Sequence, residues 1–256
     1  MRFKLSLQID SSIAGNLLPI NYQYPLSSWM YGVIAKSNTA YSTWLHDNGF
    51  LASEGNKCFK LFTFSNLKIN HAKLIGDRLL LLSDTADLYL SFLPEKSTEA
   101  FIKGLFLEKD FSIGDKESRV HFRVQSIEML PSPFLGKEGC FKTLSPITIT
   151  FHQESYLSPE AKKYGQLLVN NLKEKYRAYY QQAFTGNPDF EFKLFTQPKS
   201  KLITIKAGNQ REETKVRGYL FTFGLQADPK LLEIMYEAGA GEKGSLGFGM
   251  IESVEP

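Results

Sequence analysis

The chain has 256 residues, 43% of them hydrophobic and 22% charged, with 19 Gly and 11 Pro, a composition that excludes a disordered or collagen-like chain. That length allows one large domain or two of roughly 120 residues, and the net charge of +3 is too small to mark a polyanionic partner by itself. Cys58 and Cys140 stand far apart without Cys or His neighbours at ligand spacing, which excludes a zinc motif and a disulfide framework and leaves buried thiols as the expectation.

Residues 3–9, Phe-Lys-Leu-Ser-Leu-Gln-Ile, alternate apolar and polar and predict a strand with one buried face. Leu26, Trp29, Met30, Val33 and Ile34 then recur at helical spacing behind Pro25. Asn38-Thr39 caps a second short helix that turns Trp44 and Leu45 inward and stops at Asn48-Gly49. Residues 57–64 alternate again as a strand, and strand-like material continues at 69–74, 78–83 and 86–93. A short amphipathic helix with Ala100, Phe101 and Leu105 follows, and strands at 111–113 and 120–124 complete the set. The order strand, helix, strand, strand, helix, strand is that of a ferredoxin-like unit.

Pro131-Ser132-Pro133 with Gly136 and Gly139 gives the clearest boundary in the chain, after which the order restarts. Residues 146–151 read as its first strand, and Ser158-Pro159-Glu160 opens a long helix with Leu168, Leu172 and Tyr176. Residues 190–195 and 201–205 read as the two arms of a hairpin, and 216–225 as one alternating strand. Asp228-Pro229 starts a helix, and 247–254 forms a last strand. The fold class expected is α+β: tandem ferredoxin-like (βαββαβ) domains at 1–130 and 140–256 across a linker at 131–139, with a C-terminal glycine-rich loop.

That loop, residues 239–249, holds five glycines between a predicted helix and a predicted strand, with Lys243 at its tip. Glycines let successive N–H groups line an anion-sized hollow. A dinucleotide fingerprint follows a strand and opens a helix, the reverse of this order. A P-loop needs Gly-Lys-Ser/Thr at a helix start, which Lys243-Gly244-Ser245 does not supply. A tight helix-to-strand connection and a phosphate-contacting loop both fit these residues.

Gly239-x-Gly241, five residues, then Gly247-Phe248-Gly249 beside a C-terminal strand resembles the signature loop of the repeat-associated mysterious protein superfamily. With the tandem architecture and a His after the first helical region, the chain resembles the CRISPR repeat-RNA endoribonucleases, the Cas-six family. The resemblance implies binding of a CRISPR repeat transcript and one metal-free cut leaving a 2′,3′-cyclic phosphate and a 5′-hydroxyl. It implies no cofactor and no metal, and CRISPR effector subunits or a second copy as further partners. The start at residues 1–6 shows no signal-like apolar stretch and the longest apolar run, Leu79 to Leu82, is too short for a bilayer, so a cytoplasmic, membrane-free protein is expected. It implies His46 as general acid/base, Tyr31 as its positioning partner and Lys57 as phosphate stabiliser, with Lys60 as the substitute. An RNA-binding CRISPR subunit that does not cut is the competing reading.

The residues themselves fit that chemistry. RNA carries its own nucleophile, the 2′-hydroxyl, so a cut needs proton transfer and charge stabilisation at phosphorus, and histidine exchanges protons near neutral pH. His46 also reads as a helix-capping histidine, Tyr31 as a core tyrosine, and Lys57 and Lys60 as a solvated strand edge. His71, His121 and His152 have ordinary strand or turn explanations. Asp47, being adjacent to His46, is not expected to share a helical face with it. Basic groups for the RNA backbone are Lys60, Lys173, Arg177, Lys193, Lys199, Lys201, Lys206, Arg211, Lys215 and Arg217, joined by Gly239, Gly241, Lys243, Gly244, Ser245, Gly247 and Gly249 of the loop. Residues 199–217 carry six basic side chains against two acidic ones.

Overall fold

The computed structural model describes residues 1–52, 57–133, 135–151, 155–207 and 212–255. The predicted Arg211 and His152 fall outside them. The first strand, β1 (Arg2–Asp10), forms as its alternation dictates, with Phe3, Leu5, Leu7 and Ile9 buried on one face. Two helices follow, α1 (Gln23–Ser37) and α2 (Thr39–Asp47). Asn38 ends the first and caps the second, its side-chain oxygen accepting the Tyr41 N–H at 2.9 Å. Then come β2 (Phe62–Phe64), β3 (Thr85–Phe92), α3 (Glu95–Leu107), β4 (Asp110–Gly114) and β5 (Arg119–Leu130). These strands pair antiparallel in the order β4-β5-β1-β3-β2. The predicted strand over 57–64 is broken, because Leu61 takes a left-handed φ of 53° and separates Cys58–Phe59 from β2.

The second sheet begins earlier than the sequence suggests. Its first strand is β6 (Glu138–Thr143), which begins in the last two residues of the expected linker, rather than residues 146–151. Beyond it lie α4 (Tyr164–Tyr180), β7 (Glu191–Leu194), β8 (Lys199–Ile205), β9 (Thr214–Leu220), β10 (Thr222–Gln226), α5 (Pro229–Ala238) and β11 (Ile251–Val254). The order is β7-β10-β6-β11, again antiparallel. The expected single strand over 216–225 is two strands, and β8 pairs with β9 rather than with β7, so the predicted hairpin partners are exchanged. The long helix begins at Tyr164, after turns over 159–163, not at Pro159. Cys58 is exposed and Cys140 half-buried, so neither thiol has the full burial expected of it.

Each sheet has its own apolar cluster, and a third cluster of Ala52, Phe59, Leu61, Ala178 and Ala238 joins them. The Arg2 guanidinium is buried in that joint. It donates to the carbonyls of Tyr236 and Ile251 at 2.6 Å each and lies 3.4 Å over the Tyr236 ring. A buried charge is tolerated there because both terminal nitrogens meet carbonyl oxygens, although Nε has no hydrogen-bond partner. Among the described residues no helix is long and apolar enough to cross a membrane.

Candidate active site at the end of the second helix

His46 occupies the last turn of α2 with its imidazole largely exposed. The helix is set by the Asn38 cap and by Ser42 Oγ, which donates to the Tyr31 carbonyl at 2.9 Å and so fixes α2 against α1. The Tyr31 ring meets the His46 ring edge-on at 5.1 Å. Burial pushes the Tyr31 phenol up to about 12, against a hydrogen bond to Ser245, so it stays a neutral donor at physiological pH. Against expectation, His46 Nδ1 does meet its neighbour, lying 2.8 Å from Asp47 Oδ1. The helix ends there, so helical spacing no longer keeps adjacent side chains apart. A carboxylate only accepts, which puts the proton on Nδ1 and leaves Nε2 as the unprotonated nitrogen of a neutral ring.

The two candidate lysines separate. Lys60 Nζ donates to the His46 carbonyl at 2.5 Å, and burial lowers its pKa. Lys57 Nζ instead lies 2.7 Å from Glu174 and 3.7 Å from Glu242. It lines a cavity of about 340 Å³ together with Lys173 and Arg177. Of the pair, Lys60 is tied to the histidine.

The glycine-rich loop reaches the same place from the other sheet. Ser245 lies in a short 3₁₀ turn (Gly244–Leu246), and its carbonyl accepts from Ser27 Oγ of α1 at 2.6 Å. Its glycines serve close packing first. Gly249 has φ 81°, and a Cβ there would stand 2.1 Å from the Ala240 carbonyl oxygen; at Gly247 it would stand 2.5 Å from the Phe64 ring. Gly239 and Gly241 are buried as well. The N–H groups of Ala240, Glu242, Gly247 and Gly249 go to protein carbonyls, which corrects the expectation of a hollow lined by successive free N–H groups. The accessible part narrows to residues 242–246, of which Lys243 is exposed and the rest half-buried.

From the sequence Lys175 reads as one more basic residue of the long helix facing RNA phosphates, and the structure buries it instead. Its Nζ is buried and donates to the carbonyls of Gly239 at 2.6 Å and Ala238 at 3.3 Å, pinning the start of the loop. Burial lowers its pKa to about 7, with Lys57 pushing the same way and Glu242 opposing. The signal was present, since Lys175 falls seven residues after Leu168 on the helix face that also carries Leu172.

The remaining predicted basic groups do not converge on one surface. Lys199 and Lys201 lie on the face of the β8–β9 ladder that holds Ile203, and Lys215 and Arg217 lie on the other. Lys206 pairs with Glu212 at 2.6 Å, and Lys193 with Glu191 at 3.0 Å. His121 bonds Ser112 and Asp110, an ordinary strand histidine.

Two antiparallel sheets, backed by helices and joined at a buried glycine-rich loop, define a mixed α/β protein with a Tyr–His–Lys group at the joint. Family models for "CRISPR-associated protein Cas6, N-terminal" and "CRISPR associated protein Cas6, C-terminal" match residues 17–127 and 130–253. A relative from Methanocaldococcus jannaschii, named "CRISPR-associated endoribonuclease Cas6 1", is 32% identical over 262 residues, covering 100% of this chain and 93% of the relative. A "CRISPR-associated endoribonuclease Cas6" from Pyrococcus furiosus is 29% identical over 256 residues, covering 98% and 89%. The solved structure of a Cas6-related protein from Pyrococcus furiosus superposes with a TM-score of 0.82 at 25% identity, covering 100% of this chain and 98% of that one. The chain belongs to the Cas6 family.

Proposed function

We propose that this Cas6-family chain is an endoribonuclease that binds CRISPR repeat transcripts and cuts them through the RNA's own 2′-hydroxyl. Each half is read as a ferredoxin-like domain, at 1–130 and 140–256. Supporting this is the strand order: leaving out the added edge strand β4, the first sheet runs fourth-first-third-second strand, and the second sheet repeats that order. Because β6 begins at Glu138, the second domain starts nearer residue 138, and the linker shrinks accordingly.

His46 Nε2 takes the 2′-hydroxyl proton or returns one to the 5′-oxygen leaving group, each such role contributing ~10²–10⁴-fold. Tyr31 holds the imidazole edge-on, and Lys60, rather than Lys57, faces the phosphorane oxygens. Lys57, Lys173 and Arg177 grip the RNA backbone beside the site. Lys243, Gly244 and Ser245 contact it from the loop. The products are a 2′,3′-cyclic phosphate and a 5′-hydroxyl, formed without a metal in the cytoplasm. Handover to CRISPR effector subunits and a homodimer are compatible partners.

One observation carries this reading: Tyr31, His46 and Lys60 meet at the exposed end of α2 while Ser245 of the loop reaches the same tyrosine. The competing reading is an RNA holder of the same fold that does not cut. His46→Ala separates the two. Cleavage of repeat RNA should fall at least ~10²-fold with affinity kept; unchanged cleavage removes His46 from the chemistry.

A further inference from the structure

On the far side of α2 from Tyr31, four aromatic rings enclose a cavity of about 610 Å³ that the cleavage chemistry does not use. Tyr41 and Trp44 stack at 5.6 Å with planes 23° apart, and Phe50 meets Trp44 edge-on at 5.2 Å. Tyr179 of α4 closes the wall from the other half of the molecule, 6.4 Å from Phe50. The pocket therefore exists only with both halves joined. Lys96 holds its ammonium 4.7 Å over the Tyr41 ring, and burial raises the Tyr179 pKa with the Glu95 and Glu233 carboxylates adding to it. Trp44 is 37% exposed, an uncommon setting for so large a ring.

We propose that this pocket is a nucleobase subsite, holding one unpaired base of the RNA whose backbone passes His46. The inference rests on the RNA-cutting reading above and adds a subsite to it. A nucleotide offers a flat π-face, a polar edge and a phosphate. The pocket meets these with stacked rings, a carboxylate acceptor for base N–H groups, and an ammonium. Trp44 is two residues from His46 on one helix, and its carbonyl accepts the Asn48 and Gly49 N–H groups that end that helix. A strand laid across the end of α2 thus passes both sites. An apolar peptide side chain would leave Glu95 and Lys96 without partners.

The chain has two tryptophans, and Trp29 is packed into the core against Phe111 at 3.9 Å, so a change of emission on binding reports chiefly on Trp44. The test titrates the full chain with repeat RNA blocked by a 2′-deoxy substitution at the cut, then with the same RNA carrying an abasic nucleotide at each position in turn. The intact RNA should quench tryptophan emission. One abasic position should abolish the quench and weaken binding about tenfold. Trp44→Ala should bind about tenfold more weakly and be insensitive to that abasic position. Lys96→Glu, an exposed change that spares the core, should weaken binding severalfold and reduce the salt dependence. RNA that is bound and cut normally, with no abasic position coupled to Trp44 and no loss in Lys96→Glu, overturns the subsite and leaves the endonuclease reading intact. Absence of any RNA binding overturns both.

Discussion

The Lys60 ammonium donates to the main-chain carbonyl of His46 at 2.5 Å, while Lys57, three residues earlier, is drawn away to Glu174. The short ladder of Phe50–Leu51 with Cys58–Phe59 places Lys60 back beside the end of α2. On the proposed mechanism the phosphate-facing role falls to Lys60. Lys60→Ala should cost ~10²–10³-fold in the single-turnover cleavage rate with little change in RNA affinity. Lys57→Ala should weaken affinity modestly and lower the salt slope by about one. The reverse outcome would return the role to Lys57.

Tyr31 acts as a neutral phenol because burial holds its pKa at about 12. Tyr31→Phe keeps the edge-on ring contact with His46 and loses the bond to Ser245. Cleavage should fall by roughly fivefold, the worth of about 1 kcal/mol of hydrogen bonding. The pH profile up to pH 10 should keep its shape, since no phenolate forms in that range. A lost alkaline limb in Tyr31→Phe would mean that the phenol itself exchanges the proton.

The glycine-rich loop makes a stability prediction independent of RNA. Gly249→Ala forces a Cβ onto the Ala240 carbonyl at a φ of 81° and should destabilise the chain by at least ~2 kcal/mol. Gly32→Ala, on the exposed side of α1 with nothing within 4 Å, should instead stabilise by ~0.5–1 kcal/mol. Denaturant midpoints of the two variants check both signs.

Lys175 couples the loop to pH. Its folded pKa of about 7 lies below the ordinary value of 10.5, so between those two values the unfolded chain binds the extra proton. Stability from this group therefore rises with pH above about 7, by up to ~1.4 kcal/mol per unit, and reaches its ceiling above the unfolded pKa. Below about 7 both states are protonated and no slope remains. The neutral amine keeps two N–H donors, enough for the Ala238 and Gly239 carbonyls. Lys175→Met should flatten the stability-versus-pH curve between pH 7 and 9.5 relative to the parent, and parallel curves would contradict the burial argument.

Much of this was legible in the residues because local chemistry and tertiary structure agree. The alternation of residues 3–9, the Asn38 cap and the inward Leu45 all appear as read. Strand partners were not legible, since alternation predicts a buried face and says nothing about the neighbouring strand. Residues 146–151 alternate as a sheet strand would, yet their backbone serves other partners. The Pro146 carbonyl accepts from Gly249, Thr148 accepts from Glu242, and Ile147 bridges Tyr219. In the site, His46 and Tyr31 were named from resemblance, and the structure brings the two rings together. The choice between Lys57 and Lys60 depended on carboxylates over a hundred residues away that hold Lys57, which no local pattern encodes. Lys175 was hidden by its type, because a lysine on a helix is ordinarily solvated.

In the proposed mechanism the RNA's own hydroxyl breaks the bond at phosphorus while His46 moves the protons. The most direct test is repeat RNA with the single 2′-hydroxyl upstream of the cut replaced by hydrogen, incubated with the full chain in excess EDTA beside the unmodified RNA. The account predicts that the unmodified RNA is cut to a cyclic phosphate in the chelator while the deoxy RNA is bound with nearly equal affinity and left whole. Cutting of the deoxy RNA, or loss of all cutting in EDTA, would contradict it.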